Sequence, residues 1–232
     1  VATYSSRFYE GRTISGHIAG KESESGVVGY IASFPIPEVV RGINAFYLAA
    51  SKVNPDIKIK IIWLYTWYDP GKEASAAQIL IDQGADIIVQ HTDTYAPCQV
   101  AQKNGVKAFG QASNQYDFCP DAHLTAIIDE WGPYYVERAK AVADGTWEST
   151  DTWKGLESGM VEMAPYRNMH PDTKFEAIAL QNSLTKGEVH SFEGPIYNQA
   201  GELMVPEGEV APDGMLLGMN WYVKGIDGTV PQ

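Results

Sequence analysis

The chain has little positive charge and no long apolar run. Its 232 residues include 17 Lys and Arg against 29 Asp and Glu, which gives a formal net charge of -12. Nucleic-acid binding relies on clustered basic side chains that displace phosphate counterions, and the sequence contains no such cluster. No stretch approaches the roughly 20 apolar residues that span a bilayer. We therefore expect neither a nucleic-acid partner nor a transmembrane helix.

Cysteine is also scarce, because only Cys98 and Cys119 are present. Two cysteines do not define a disulfide-rich scaffold, and free thiols are one interpretation of this pair. His91 and His123 would complete a four-ligand zinc set with them, but the spacings contain no close ligand pair of the CxxC type. The sequence therefore predicts no metal site.

Signatures of catalysis are missing as well. The GxSxG, HExxH and dinucleotide-binding patterns do not occur. The segment GHIAGKES (16–23) resembles a phosphate-binding loop, but it is one residue too short between the glycines, lacks Ser or Thr after Lys21 and lies within a helical pattern. His91 and Asp93 form one short pair with no nucleophile beside it. We expect neither an enzyme nor a bound cofactor.

What the sequence does contain is a regular alternation of apolar strands and amphipathic helices. A hydrophobic content of 44% is enough to bury a substantial core in a chain of this length. Short apolar runs rich in β-branched residues recur between helical patterns, which is typical of a parallel sheet covered on both faces. Strands are predicted at residues 27–33, 57–65, 85–90, 106–111 and 124–129. The predicted fold class is α/β, with a doubly wound lobe.

Turn residues mark the ends of the predicted helices. Asp69 can cap a helix that has Pro70 in its first turn, and Gly84 and Gly105 suit positions just past helix ends. Beyond residue 131 the alternation changes. The pattern there predicts a helix that ends near Gly145, a short strand within 160–165, a helix over 171–189, a hairpin turning at 199–201 and an extended piece within 218–231.

Ligands of doubly wound sheets collect beyond the carboxyl ends of the strands, so the loops SFPIPE, YTWYDP, QHTDT and QASNQYD form the candidate site. Phe34, Trp67 and Tyr116 offer flat apolar faces there. The hydrogen-bonding side chains of these loops are those of His91, Thr92, Asp93, Ser113, Asn114 and Gln115. Together they suit a planar polar ligand such as a heterocyclic base. Two alternatives stay open: Trp67 covers the edge of the sheet, or His91 is a structural histidine.

Several long segments closely resemble the basic membrane protein family, the purine-receptor-like substrate-binding proteins of ABC transporters. They are RFYEGRTISGHIAGK, GVVGYIASFPIPEVVRGINAF, VNPDIKIKIIWLYTWYDPGKEASAAQILIDQGADIIVQHTD, WGPYYVERAKAVADGTW and FEGPIYNQAGELMVPEG. The resemblance runs over nearly the whole chain in order and spacing. It implies a periplasmic-binding-protein-like fold of type I, with two α/β lobes, a hinge and the ligand between the lobes.

The resemblance also implies how the chain is divided between the lobes. Residues 1–24 are expected to belong to the first lobe, 25–128 to form the second lobe, and 129–150 to pass the hinge and return to the first. Residues 151–232 then supply a strand, a helix and a hairpin that decorates the hinge. The family carries an export signal and a first lobe ahead of the "EG" helix. The chain is therefore expected to lack most of the first lobe.

By resemblance, the expected function is that of a substrate-binding protein of an ABC importer for a purine-like ligand, located in the periplasm or otherwise outside the cytoplasm. Its partner would be the transporter permease at the membrane surface, with lipid anchoring left open. The alternative function is that of a membrane-anchored ligand sensor or regulator of the same fold. An enzymatic alternative is a nucleoside hydrolase or phosphorylase. Mass spectrometry of co-purified ligand would discriminate among ligand identities.

The expected ligand-binding residues are Trp67, Phe34, His91, Asp93, Asn114 and Asp129. Trp67 stands where purine-binding relatives place a phenylalanine that stacks on the base. Ala112 stands where nucleoside-binding relatives have an aspartate, and Asp129 where they have a lysine, and both of those residues hold the ribose. The resemblance therefore favours a nucleobase over a nucleoside.

Export would also expose the two cysteines to oxidising conditions. Cys98 lies at the start of a helix after one predicted strand, and Cys119 follows the strand expected beside it. A disulfide between them is therefore a further prediction, with two free thiols as the alternative.

Overall fold

The computed structural model describes residues 1–231. The elements follow one another as β1 (Thr3–Ser6), α1 (Tyr9–Glu22), β2 (Val27–Ala32), α2 (Pro37–Val53), β3 (Lys58–Trp63), α3 (Pro70–Asp82), β4 (Ile87–Gln90), α4 (Ala96–Lys103), β5 (Lys107–Gly110), β6 (His123–Asp129), α5 (Gly132–Ala143), β7 (Asp151–Lys154), β8 (Val161–Met163), α6 (Pro171–Thr185), β9 (Ile196–Tyr197), β10 (Leu203–Val205) and α7 (Asp213–Leu217). None of the helices in this part of the chain is long and apolar enough to cross a membrane.

A six-stranded sheet in the order β3-β2-β4-β5-β6-β8 forms the centre of the fold. The first five strands run parallel, and β8 is added antiparallel to β6 at one edge. All five strands predicted from the apolar runs are present, and the strand predicted within 160–165 is β8. The strand order reverses direction at β2, and the crevice beside such a reversal is where doubly wound sheets bind ligands.

Helices cover both faces of this sheet, because successive side chains of its strands point to opposite sides. On one side Tyr30 of β2 packs in a cluster with Phe46 of α2 and residues of α1. On the other side Ile31 packs with Leu80 of α3 and Cys98 of α4. The doubly wound α/β lobe expected from the sequence is therefore confirmed.

Helix α1 packs closely on α2 through small residues. A Cβ atom at Gly16 would lie 2.1 Å from the carbonyl oxygen of Phe46, and one at Gly20 would lie 2.7 Å from that of Ala50. These small residues let the two helix backbones approach closely, and α1 shares a buried cluster with α2 and the sheet. The predicted lobe boundaries, including the assignment of residues 1–24 to the first lobe, stay predictions.

A second, small sheet pairs β1 with β7 in parallel. Aromatic rings join β1 to the start of α5. The ring centroid of Tyr4 lies 4.8 Å from that of Tyr134 in α5 and 5.2 Å from that of Trp131, the residue that precedes the helix. Neither strand was predicted. Both are four residues long and largely exposed, so they lack the apolar pattern that marks a strand of the core.

The C-terminal part contains the predicted hairpin, with β9 antiparallel to β10 and Gly201 at a φ of 82° in its turn. The segment predicted to be extended within 218–231 has mostly irregular structure, with one isolated bridge between Asn198 and Val223. Asn44 of α2 holds this segment, since its side chain donates to the carbonyl of Trp221 at 2.8 Å and accepts from the amide of Val223 at 3.1 Å. Helix α7 was not predicted.

Cys98 and Cys119 form a disulfide with a Cα–Cα distance of 5.8 Å. Both residues are fully buried. The bond joins α4 to the segment between β5 and β6, which confirms the predicted pairing and removes free thiols as the interpretation. It also leaves no thiolate for the zinc set considered from the sequence. Among residues 1–231, no group of three or more His, Cys, Asp or Glu side chains is arranged to hold a metal ion.

Candidate functional site

Three aromatic side chains meet at the carboxyl ends of β2, β3 and β4. The ring centroids of Phe34 and Trp67 are 5.5 Å apart, and those of Trp67 and His91 are 6.1 Å apart. Each of these residues follows a different strand, and parallel strands place such positions along the same edge of the sheet. Trp67 remains 39% exposed. We call Phe34, Trp67 and His91 the aromatic group.

The loops around the aromatic group carry unusual backbone geometry. Tyr65, two residues after β3, has a φ of 54°, and Ala112, two residues after β5, has a φ of 57°. Residues other than glycine rarely adopt this left-handed backbone conformation, and those that do are concentrated at functional sites. Both loops therefore hold a backbone shape that their residue types do not favour.

A buried carboxylate ties two of these loops together. Glu73 of α3 is fully buried, and its Oε1 accepts from the amide of Asp69 at 3.0 Å. Its Oε2 accepts from the hydroxyl of Thr94 at 2.7 Å and from the amide of the same residue at 3.2 Å. Asp69 in turn caps α3 by accepting from the amide of Lys72 at 3.0 Å. The positions of Trp67 and His91 are thereby coupled through hydrogen bonds.

His91 lies beneath the exposed ring of Trp67 and is 3% exposed. Its Nε2 is 3.7 Å from a carboxylate oxygen of Glu38, whose side chain is half exposed. Burial lowers the pKa of His91, and the contact with His91 lowers the pKa of Glu38. The His91 Nδ1 is buried and has no hydrogen-bond partner among residues 1–231. His91 is thus a neutral ring wedged into the aromatic group.

Two predicted carboxylates lie at the same edge but in different surroundings. Asp93 is exposed, and its amide donates to the carbonyl of Trp67 at 2.8 Å. Partial burial, together with Glu73, raises its pKa. Asp129 at the end of β6 accepts from the hydroxyl of Ser6 at 2.7 Å, and burial raises its pKa to about 6. Asp129 is therefore mostly charged at neutral pH, and the oxygens of both carboxylates can accept hydrogen bonds from a ligand.

Two other predicted side chains are less available than the sequence indicated. The Asn114 side-chain oxygen accepts from the amide of Tyr116 at 3.1 Å and closes a turn, so its amide group is what it can offer a ligand. The ring of Tyr116 is covered by the guanidinium of Arg167 at 4.2 Å and packs edge-on against His123. Tyr116 therefore does not join Phe34 and Trp67 in the aromatic group.

A search for related proteins identifies the family. A family profile described as "ABC transporter substrate-binding protein PnrA-like" matches residues 1–192. The chain belongs to this family. The match confirms the resemblance stated from the sequence, and the family consists of substrate-binding proteins.

Two curated relatives match all or nearly all of this PnrA-like chain. The chain is 54% identical over its 232 residues to a purine-binding protein of Brucella abortus and spans 66% of that protein. It is 32% identical over 230 residues, or 98% of its length, to a putative ABC transporter glucose-binding protein of Haloferax volcanii, of which it spans 56%. The chain therefore spans less than two thirds of both curated relatives.

A solved structure shows the same fold. The ABC transporter solute-binding protein of Aeropyrum pernix superposes with a TM-score of 0.68 at 17% identity, over 82% of this chain and 66% of that one. At this identity the likeness concerns the fold alone, which is that of solute-binding proteins with parallel sheets covered by helices.

Sequence reasoning missed several side chains that support the aromatic group of this PnrA-like chain. Phe8 stacks on His91 with centroids 5.7 Å apart, and Glu38 contacts the same imidazole. Glu38 had a usable signal, since it is the acidic residue in the first turn of the helix that follows the loop of Phe34. Phe8 and Ser6 had none, because they reach the site from a segment far away in sequence.

Proposed function

We propose that the protein is the substrate-binding component of an ABC importer and captures a purine-like ligand at the carboxyl edge of the six-stranded sheet. The observation that carries the proposal is the aromatic group, in which the partly exposed ring of Trp67 packs against Phe34 and His91. The carboxylates of Asp93 and Asp129 lie along the same edge of the sheet. A base presents a π-face to Trp67 and its N–H edges to the carboxylates. The Brucella relative is a purine-binding protein, which supports the same ligand class.

Capture in such a fold works through differential affinity. The ligand contacts both lobes only when they are closed, so it shifts the population toward the closed form, which the permease recognises outside the cytoplasm. The residues of this chain provide one side of the cleft. Their proposed roles are stacking for Trp67 and Phe34, wedging for His91, and acceptance of N–H groups for Asp93 and Asp129. Asn114 donates from its amide group.

Within the purines, we propose a nucleobase rather than a nucleoside. A site built to bind ribose holds its hydroxyls with charged partners, and a ligand lacking those hydroxyls is then rejected sharply. Ala112 offers no polar side-chain group. Asp129 already accepts from Ser6 and can take a further N–H through its second oxygen. This set matches the N–H groups of a base better than a pair of sugar hydroxyls.

Titration calorimetry on the whole protein tests both levels of the proposal. Adenine and adenosine, guanine and guanosine are titrated in pairs, and the base of each pair is expected to bind more tightly. Nucleosides that bind ten times more tightly than their bases would overturn the preference for nucleobases. Glucose is a separate arm because of the name of the Haloferax relative. Glucose binding without purine binding would overturn the purine class itself.

A further inference from the structure

Arg12 of α1 is a buried charge without a carboxylate partner. Its side chain is one of the largest fully buried side chains among the described residues. Within residues 1–231 no Asp or Glu lies at ion-pair distance from it, unlike Arg7, which pairs with Asp213 at 2.7 Å. Its Nε and Nη1 atoms have no hydrogen-bond partner in the same part of the chain. Burying a charge without an opposite charge is energetically unfavourable, so the presence of Arg12 here calls for a role.

The hydrogen bonds of Arg12 connect the ends of two neighbouring strands. Its Nη2 donates to the carbonyl of Gln90 at 2.7 Å and to the side-chain oxygen of Gln111. Gln90 is the last residue of β4, and Gln111 directly follows β5. The paired positions of β4 and β5 are Ile87 with Lys107 and Ile88 with Ala108. Beyond that point the guanidinium bridges the two strand ends.

The residues that follow these two strand ends belong to the candidate site. His91 comes directly after Gln90, and Ala112, with its left-handed backbone, comes directly after Gln111. Gln90 also orders the first of these loops, because its Nε2 donates to the carbonyl of Thr92 at 2.9 Å. A displacement of Arg12 would therefore also displace both loops.

Arg12 also stands at the base of a column of rings that ends at Trp67. Its guanidinium carbon lies 5.1 Å from the centroid of Phe8. The ring of Phe8 stacks on His91 at 5.7 Å with an angle of 26° between the planes, and His91 contacts Trp67 edge-on at 6.1 Å. The column runs from the buried core to the exposed ring that we propose as the stacking surface.

We propose that Arg12 is a positioning residue for ligand binding, which fixes the ends of β4 and β5 and the column Phe8–His91–Trp67 in the arrangement that accepts the ligand. This inference rests on the proposed function, since the ligand surface is the one described above. Arg12 acts through other residues and does not touch the ligand itself. A planar guanidinium suits the role because it donates in two directions and stacks on a ring at the same time.

The test uses Arg12→Met in the whole protein, because Met has a similar volume and no charge. The substitution removes an unpaired buried charge, which is favourable, but it also takes a donor from the Gln90 carbonyl and the Gln111 side chain, which is unfavourable. Because the two effects oppose each other, the free energy of unfolding in urea should change little. Adenine affinity by calorimetry should nevertheless fall at least tenfold. If Arg12 had a purely structural role, its replacement would lower stability and affinity together. A loss of affinity alone therefore indicates a positioning role. Arg12→Lys, which keeps the charge but loses the planar fork, should not restore affinity.

Arg41→Met is the matched control. Arg41 is also a buried arginine, donates to a backbone carbonyl, that of Leu216, at 2.6 Å, and stacks on Trp153 at 4.9 Å. It supports the C-terminal segment rather than the strand ends, so its replacement should leave adenine affinity within twofold of the parent. Gln111→Met provides a second route, because it removes one acceptor and keeps Arg12. Gln111→Met should also lower adenine affinity, and it replaces Arg12→Met as the test if that variant does not fold.

A readout without ligand separates this inference from the proposed function. The chain contains six tryptophans, and the indole N–H signal of Trp67 can be assigned in a ¹⁵N–¹H spectrum by comparison with Trp67→Phe. This signal should shift in Arg12→Met or Gln111→Met and stay in place in Arg41→Met. A stationary signal in the Arg12 and Gln111 variants would overturn the inference whether or not purines bind. A parent protein that binds no purine would overturn only the proposed function.

Discussion

Acid should destabilise this protein through His123, and the size of the effect follows from its surroundings. His123 at the start of β6 is fully buried, and neither ring nitrogen has a hydrogen-bond partner among residues 1–231. Burial, and to a smaller extent the charge of Arg167, lowers its pKa from the ordinary value of 6.5 to about 4. The folded protein therefore holds this ring neutral in a pH range where the unfolded chain protonates it.

The sign of the pH dependence follows directly. Between about pH 6.5 and pH 4 the unfolded chain binds a proton that the folded protein does not, so the stability falls as the pH falls through this window. At 1.36 kcal/mol per pKa unit the whole shift corresponds to about 3 kcal/mol, of which about 2 kcal/mol is lost between pH 7 and pH 5.

The perturbation that isolates this contribution is His123→Leu. Leucine has a similar volume and leaves no unpartnered polar atom, so stability at pH 7 should be little changed. Urea unfolding at pH 7 and pH 5 should then show a smaller loss of stability in the variant, by about 2 kcal/mol. The carboxylates, including Asp129, titrate in parent and variant alike and cancel in this difference.

His190→Leu is the control, because His190 is exposed and its replacement should leave the pH dependence of the parent in place. If His123→Leu folds and loses as much stability between pH 7 and pH 5 as the parent does, the reasoning is refuted. Should leucine disturb the packing against Tyr116, His123→Gln gives the same comparison with a polar side chain that does not titrate.

Two further predictions concern the site and the covalent link. Trp67→Ala in the whole protein should weaken purine binding by roughly 10- to 100-fold in calorimetry, with little change in the melting temperature without ligand, because the ring is partly exposed. Tyr68→Ala, at a neighbouring ring that is 67% exposed, should leave affinity unchanged, and equal affinity of the two variants would count against the stacking role. Removing the disulfide by Cys98→Ala with Cys119→Ala opens a loop of 21 residues and should lower the free energy of unfolding by about 3 kcal/mol in urea, a loss below 1 kcal/mol being contrary to expectation.

The central sheet could be predicted because its signals are local. Each strand of the core is a short run of apolar, mostly β-branched residues, and helix boundaries such as Asp69 and Gly84 act through their own backbone. The partners of β1 and β7 could not be predicted, since Thr3 and Asp151 are 148 residues apart and neither strand is buried. Exposed strands of four residues carry no periodic apolar pattern that would distinguish them from loops.

The candidate site divides in the same way. Strand ends in a parallel sheet fall on one edge, so the positions of Phe34, Trp67 and His91 followed from the order of the elements. The direction of a polar side chain depends on nearby partners that the sequence does not reveal. The Asn114 oxygen closes a turn, and the Asp129 carboxylate reaches Ser6 on another sheet.

Arg12 was the hardest residue to anticipate, and helix α1 explains why. Ten of the 14 residues of α1 are buried, and five of these ten are glycine, serine or threonine rather than the larger apolar residues expected of a buried helix. Small side chains allow this, because a helix satisfies its own backbone hydrogen bonds and needs only close contact with its neighbours. At Gly11 the absence of a side chain lets the first turn of α1 lie against Ile127 of β6. A lone arginine in such a helix would ordinarily lie on a solvated face, whereas here the packing of the small residues carries its guanidinium under the ends of β4 and β5.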